Sequence, residues 1–300
     1  MPLAVRTEGL TKRYGRTVAL DGLDLEVEQG EVFGYLGPNG AGKSTTIGLL
    51  LGLLRPTGGR AEVLGLDVRR DARALHRRLA YVPSQADLWP TLTGAETLHL
   101  LGRLHGSVDE AARDRLVERF RLDPDKRNRA YSHGNRQKVL LVAAFASGAD
   151  LLLLDEPTSG LDPLMEQVFR ECVLEARSAG RTVLLSSHIL SEVEAVCDRV
   201  AMLRGGRLIE TGRLDDLRGI AALQVEARID GPVPDVSSVP GVDDVRVDGD
   251  ALTCRVSGDV QPLLAALSGT HVRHLVTREP SLEELFVSRY GDGASGGAAA

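Results

Sequence analysis

The chain has 300 residues, of which 43% are hydrophobic and 26% charged, a balance typical of an ordinary globular protein. This length allows one large domain or two of ordinary size. Its 33 glycines and 13 prolines are too few for a collagen-like or wholly disordered chain. No stretch reaches the roughly 18–20 apolar residues that cross a bilayer, and the first residues have no apolar signal core. The sequence therefore predicts a protein made and kept in the cytosol, without a membrane span of its own.

The charge is distributed unevenly along the chain. The formal net charge is −6, yet residues 1–219 carry 30 basic and 30 acidic groups, so the excess of acid belongs to residues 220–300. This difference predicts two electrostatically distinct pieces, and the lack of a net basic segment argues against nucleic acid as the main partner. Three widely spaced cysteines, Cys172, Cys197 and Cys254, predict reduced thiols rather than a disulfide framework or a metal site.

The first 211 residues alternate between predicted strands and predicted helices. Alternating apolar residues predict a half-buried strand, and continuous apolar runs predict strands buried on both faces of a mainly parallel sheet. Strands that alternate with helices favour an α/β fold. The predicted strands are Leu23–Glu28, Glu31–Leu36, Leu151–Leu154 and Thr182–Ser186, and the predicted helices are Ser44–Leu54, Pro163–Arg177 and Ile189–Val196.

Two segments depart from this alternation. Residues 86–147 have only helical patterns and predict a helical subdomain within a first domain that covers residues 1–215. Residues 221–290 predict a small α+β domain, and the Gly- and Ala-rich tail at 291–300 is expected to be disordered. The helical patterns are Ala95–Leu104, Asp109–Phe120 and Arg136–Ala146, followed by strands at Leu223–Ile229, Val242–Val247, Leu252–Val256 and Val272–Thr277, and helices at Val260–Leu267 and Ser281–Arg289.

A phosphate-binding motif follows the second predicted strand. The glycines let the backbone turn so that successive N–H groups point at phosphate oxygens, and the helix that follows adds the positive end of its dipole. Lys43 supplies a positive charge to the β- and γ-phosphates, and the hydroxyl of Ser44 is a ligand for Mg²⁺. The motif fits the pattern GxxxxGK[ST] at every fixed position: Gly37, Pro38, Asn39, Gly40, Ala41, Gly42, Lys43 and Ser44.

Two carboxylates follow the leucine-rich strand at Leu151–Leu154. In a parallel sheet, a carboxylate at the carboxyl end of a buried strand lies beside the phosphate loop. Asp155 is expected to hold Mg²⁺, and Glu156 is suited to act as the general base toward the attacking water. The alternative is a strand that ends in two solvated acids, and the phosphate loop elsewhere in the chain argues against it.

With these motifs, residues 3–215 resemble the ATP-binding cassette of ABC transporters. The resemblance implies a P-loop NTPase fold with a mostly parallel core sheet, an N-terminal antiparallel β part and a helical subdomain. It also implies ATP and Mg²⁺ as cofactors. In the bound nucleotide, Tyr14 would stack on adenine, Thr45 would join the phosphate loop in binding phosphate, and Gln85 would contact both Mg²⁺ and a permease. His188 would act as a catalytic switch, and Asp162 would lie at a subunit interface. The family's signature sequence corresponds to Ser132, His133, Gly134 and Asn135.

The signature departs from the commoner form Leu-Ser-Gly-Gly-Gln, because His133 replaces a glycine and Asn135 a glutamine. In the family this sequence reaches the ATP of a partner subunit. The resemblance therefore implies a head-to-tail dimer with a second copy or a related cassette. Each ATP would lie between one chain's phosphate loop and the other chain's Ser132.

The C-terminal segment that ends near Phe286 resembles the accessory domain on ATPase subunits of drug- and antibiotic-type exporters. That resemblance implies a separate six-span membrane permease and a location on the cytoplasmic face of the membrane. The alternatives are an importer ATPase, a soluble ABC ATPase that acts without a permease, and a subunit that does not hydrolyse ATP. The full set of Lys43, Asp155, Glu156 and His188 argues against the last of these.

Overall fold

The computed structural model describes residues 2–106, 108–214, 216 and 223–278. The chain divides into two compact units, residues 1–212 and 213–300. The domain limits at 215 and 221 drawn from the sequence stay a prediction. No helix in the described part of the chain is long and apolar enough to span a membrane.

The first unit contains two sheets. The smaller sheet is antiparallel, with the strand order β2-β1-β4-β5, and the larger has the order β10-β9-β3-β8-β7-β6, in which the pairs from β9 to β6 are parallel. The strands are β1 (Leu3–Tyr14), β2 (Thr17–Glu28), β3 (Val32–Leu36), β4 (Gly58–Val63), β5 (Leu66–Asp67), β6 (Leu79–Val82), β7 (Leu151–Asp155), β8 (Thr182–Ser187), β9 (Arg199–Arg204) and β10 (Arg207–Arg213).

α-Helices accompany these strands in the described part of the first unit. They are α1 (Lys43–Leu50), α2 (Ala72–His76), α3 (Gly94–His105), α4 (Glu110–Arg119), α5 (His133–Ala146), α6 (Pro163–Ser178) and α7 (Leu190–Glu194). Helix α5 packs against α3 and α4, so the segment expected to be helical is a cluster of three helices. Side-chain caps fix the starts of α3, α5 and α6. Thr93, Ser132 and Asp162 accept hydrogen bonds from the first turns of these helices.

The core of the large sheet follows from the apolar runs. Every residue of β3, β7 and β8 is buried, as expected of parallel strands covered on both faces. The carboxyl ends of these three neighbouring strands lie at one edge of the sheet, and this edge carries the phosphate loop and both carboxylates.

Several element limits differ from those expected from the sequence. Strand β1 belongs to the antiparallel β part that the resemblance implied, but its bounds were not predicted, because Gly9, with φ of 55°, interrupts its apolar alternation. Strand β2 begins six residues before the expected strand, at Thr17. Helix α1 ends at Leu50, since Gly52 with φ of 69° turns the chain away. Helix α5 begins at His133, three residues before its apolar pattern, because Ser132 caps it.

The second unit contains an antiparallel sheet of order β12-β13-β11-β14, and its apolar core residues come from this sheet, from α8 and from the loop between β11 and β12. The predicted helix at Ser281–Arg289 and the predicted disordered tail at 291–300 lie outside the described residues. The elements are β11 (Leu223–Asp230), β12 (Val242–Asp248), β13 (Ala251–Val256), α8 (Gln261–Leu267) and β14 (His271–Arg278).

Candidate ATP site

The phosphate loop joins β3 to α1 at the carboxyl edge of the parallel sheet, which is where α/β proteins bind their ligands. The side chain of Lys43 is buried, with 5% of its surface exposed. Its ammonium group donates to the carbonyl oxygen of Gly37 at 2.7 Å and lies 3.5 Å from Oε1 of Glu156. The loop therefore holds Lys43 as a positive charge in a defined position.

Two glycines of the loop lie too close to other backbone atoms to carry a side chain. A Cβ on Gly37 would be 2.6 Å from the carbonyl oxygen of Leu203, and a Cβ on Gly42 would be 2.7 Å from that of Ala19. Gly42 has φ of 112°, a conformation that favours glycine. Because Gly42 caps α1 without a side chain, it offers no side-chain acceptor to the first N–H groups of the helix. These groups are the donors that a helix start presents to an anion.

Asp155 and Glu156 follow β7, but their environments differ. Asp155 is buried, with 1% of its surface exposed, and its Oδ1 accepts a hydrogen bond from the hydroxyl of Ser186 on β8. Glu156 has φ of 47°, in the left-handed region that is costly for a residue with a side chain. Its N–H donates to the carbonyl oxygen of Ser186 at 3.1 Å, which holds the turn in place.

The turn directs the Glu156 side chain at two cationic or titratable partners. Oε1 of Glu156 lies 3.5 Å from the Lys43 ammonium and 3.2 Å from Nδ1 of His188. Three residues that were singled out from separate sequence motifs thus meet at one oxygen atom. Since 25% of the Glu156 side chain is exposed, water can reach the carboxylate.

The signature lies at the start of α5 and contacts the turn before α6, which we call the D-loop (Ser159–Asp162). Ser132 is exposed, and its Oγ accepts from the N–H of Asn135 at 3.3 Å. A Cβ on Gly134 would overlap the carbonyl oxygen of Gly160, so only a glycine fits there. Among the described residues, no hydrogen bond or ion pair joins the signature to the phosphate loop of its own chain.

Within the described part of the chain, no hydrogen bond or ion pair joins the other predicted residues to the carboxylate of Glu156. Tyr14 is 49% exposed at the end of β1, where the Lys12 ammonium lies 4.8 Å from its ring centroid. Gln85 is exposed, and its carbonyl oxygen accepts from the N–H of Asp87. Ser44 and Asp162 are also exposed, and Thr45 is half-buried. The adenine and magnesium roles of these residues stay predictions.

Sequence reasoning missed the serines that support the site. Ser186 bonds Asp155 through its hydroxyl, and Ser187 donates to Glu192 at 2.8 Å while accepting from the N–H of Ile189 at 2.9 Å. Glu192 also accepts from Thr158 at 2.7 Å, which links the segment after Glu156 to the segment that carries His188. The only sequence signal was a pair of small polar residues at the end of an otherwise apolar strand.

The donors and acceptors of the site fit ATP with Mg²⁺. A carboxylate oxygen already lies against the Lys43 ammonium, so this position accepts an anionic oxygen. The glycines leave a cradle of backbone that a Cβ would fill. The exposed hydroxyl of Ser44 and the carboxylate of Asp155 are the oxygen ligands that Mg²⁺ prefers in nucleotide sites.

Replacing Ser186 by alanine tests the support of Asp155. Removing the hydroxyl takes a hydrogen bond from a buried carboxylate, a loss of about 1–3 kcal/mol. We expect the turnover of ATP at a fixed Mg²⁺ concentration to fall roughly tenfold. Ser178→Ala on α6 is the matched control, because Ser178 is exposed and its hydroxyl donates to the carbonyl oxygen of Leu174 on the same helix. Equal turnover in the two variants would show that Ser186 does not support the site.

The chain is similar to several ATP-binding proteins. Residues 20–159 match the family model described as ABC transporter. The daunorubicin resistance ATP-binding protein DrrA3 of Streptomyces coeruleorubidus is 38% identical over 306 residues, which cover 96% of this chain and 96% of that protein. The Nod factor export ATP-binding protein I of Cupriavidus pinatubonensis is 34% identical and covers 93% of this chain and 88% of that protein.

A solved ATP-binding subunit of an ABC transporter has the same fold. Its TM-score is 0.67 at 34% identity, over 72% of this chain and 92% of that chain. The family and the fold class predicted from the sequence are both confirmed. The chain belongs to the ABC transporter family, as an ATP-binding subunit with ATPase activity.

Proposed function

We propose that this ATPase drives the export of a substrate through a separate membrane permease. The observation that carries the proposal is the contact of one Glu156 oxygen with both Lys43 and His188 at the phosphate loop. This is the arrangement expected of a subunit that hydrolyses ATP rather than one that only binds it. The direction of transport is supported by relatives named for drug resistance and Nod factor export, which match nearly the whole chain.

Within the site, Lys43 and the backbone N–H groups of the loop neutralise the phosphates of ATP. Glu156 accepts a proton from the attacking water, and His188 holds the Glu156 side chain in position through the same oxygen. When bound, Mg²⁺ supplies Lewis-acid stabilisation of the phosphate oxygens, and Ser44, Gln85 and Asp155 would hold it.

The signature acts on a partner's ATP in this proposal. Ser132 is exposed at the start of α5, and a helix start is a place that attracts anions. Among the described residues, the signature makes no hydrogen bond to the phosphate loop of its own chain. A second copy or a related cassette therefore supplies the complementary loop. The active form is then a head-to-tail dimer with two composite sites.

The membrane partner is a permease, six-span by resemblance to the exporter type, and the chain binds it at the cytoplasmic face. Gln85 and the nearby Trp89, which is 47% exposed, lie in a segment suited to this contact. No nucleic acid takes part.

The test is to produce the chain with and without the membrane protein encoded beside its gene. We expect the chain to fractionate with membranes only when that protein is present, and its ATP turnover to rise in proteoliposomes that contain both. Lys43→Ala is the matched variant, because it should keep the membrane association and lose the turnover. ATP turnover that responds to RNA or DNA and not to the permease would contradict the proposal.

A further inference from the structure

The first turn of α5 packs directly on the D-loop of the same chain. A Cβ on Gly160, where φ is 76°, would lie 2.6 Å from Cδ2 of His133, so the imidazole ring lies over this glycine. Nε2 of His133 is 3.5 Å from the hydroxyl oxygen of Ser159, the outer limit of a hydrogen bond. The ring therefore contacts the D-loop by packing and by one long polar contact.

A charge attraction also acts between α5 and the far end of the D-loop. Lys138 is buried, with 8% of its surface exposed. Burial lowers the pKa of Lys138, and the carboxylate of Asp162 opposes this by attracting the ammonium group. Asp162 also caps α6, where its Oδ1 accepts from the N–H of Met165 at 3.0 Å. The D-loop thus packs on α5 through Gly160, and Asp162 at its end attracts a lysine of the same helix.

The imidazole is the part of this contact that the commoner signature lacks. A glycine at position 133 has no atoms beyond Cα, so it would leave the surface of Gly160 uncovered and Ser159 without this partner. Ser132 and Asp162 are both exposed on either side of the contact. These two side chains can face a partner subunit while the residues between them pack on each other.

We propose that His133 is a positioning residue that holds the D-loop against the signature of its own chain. Ser132 and Asp162 then approach the partner's ATP as one rigid unit, which lowers the conformational entropy lost when the two subunits close. The inference rests on the composite site proposed above, because it assigns a role to a residue within that site.

The first test compares His133→Ala with His133→Gln. We expect alanine to lower the turnover at saturating ATP about tenfold with KM changed less than twofold, because the loop that binds ATP is untouched. Glutamine keeps a planar side chain that can bond Ser159, and should restore at least half of the turnover. His99→Ala, at an exposed histidine on α3, is the control and should match the unchanged protein. Unchanged turnover in His133→Ala, or no rescue by glutamine, would overturn the proposal.

The second test asks in which site His133 acts. In a mixture of His133→Ala and Lys43→Ala chains, a mixed dimer has one site built from an intact loop and an intact signature. We expect this mixture to exceed the turnover of either variant alone. No gain, in a preparation where Ser132→Ala mixed with Lys43→Ala does gain, overturns the role of His133 only. No gain in either mixture overturns the composite site itself.

Discussion

Replacing Glu156 by glutamine is expected to leave ATP binding intact and to reduce turnover by about 10²–10⁴-fold, the contribution of a general base. The amide is close to the carboxylate in size, so the turn at φ of 47° and the contact with His188 can persist. What is lost is the ability to take a proton from water. Since the proposed dimer holds each ATP between its two chains until hydrolysis, this variant should accumulate as an ATP-bound dimer, which size-exclusion chromatography with ATP measures.

Glutamine at position 156 should also change the affinity for ATP, which separates the role of Glu156 as a base from its contact with Lys43. The carboxylate lies 3.5 Å from the Lys43 ammonium, so glutamine removes an anion that competes with phosphate for the lysine. We therefore expect ATP to bind at least as tightly as in the unchanged protein, measured by equilibrium titration. Glu166→Gln on α6 is a matched control away from the loop. Turnover of Glu156→Gln comparable with that control would remove Glu156 as the base.

A mixture of two inactive variants is expected to regain activity. Ser132→Ala removes the signature hydroxyl, and Lys43→Ala removes the charge of the phosphate loop. Each alone should lose turnover severely, on the order of 10³–10⁵-fold if the signature contributes as an in-trans arginine does in other phosphate-loop enzymes. In a mixed dimer, the loop of the first variant meets the signature of the second, and this site is intact.

The recovered turnover, as a fraction of that of the unchanged protein, should follow the fraction of dimers that contain one chain of each variant. It is measured as phosphate release while the ratio of the two chains is varied, with a maximum near equal amounts. A mixture of Ser132→Ala with Glu156→Gln is expected to recover as well, since the same reasoning applies to it. Rates equal to the sum of the two variants measured separately, at every ratio, would show that each chain hydrolyses ATP with its own residues alone.

The phosphate loop and the two carboxylates could be predicted because their chemistry is local. Binding phosphate requires glycine where φ is positive or another backbone lies close, as at Gly42 and Gly37, and these needs appear as fixed residue types at fixed spacing. Asp155 and Glu156 could be assigned because a run of four leucines fixes where the strand ends.

The supporting residues could not be predicted, because they act across elements that are distant in sequence. Ser186 reaches Asp155 from 31 residues away, and the signature touches the D-loop through Gly134 and Gly160. The bounds of strand β1 escaped prediction for a different reason. It pairs on both sides within the antiparallel sheet, and backbone pairing sustains a strand even where the apolar alternation is broken at Gly9.

The residue types alone indicated which groups this protein has for ATP: a glycine-rich loop with Lys43, an acidic strand end and a histidine after a buried strand. The fold is what brings Lys43 and His188 to one oxygen of Glu156 and places His133 over the D-loop. The physical reason is the order of the parallel strands. Because β3, β8 and β7 are neighbours, their carboxyl ends meet at one edge, and three separate motifs become one site.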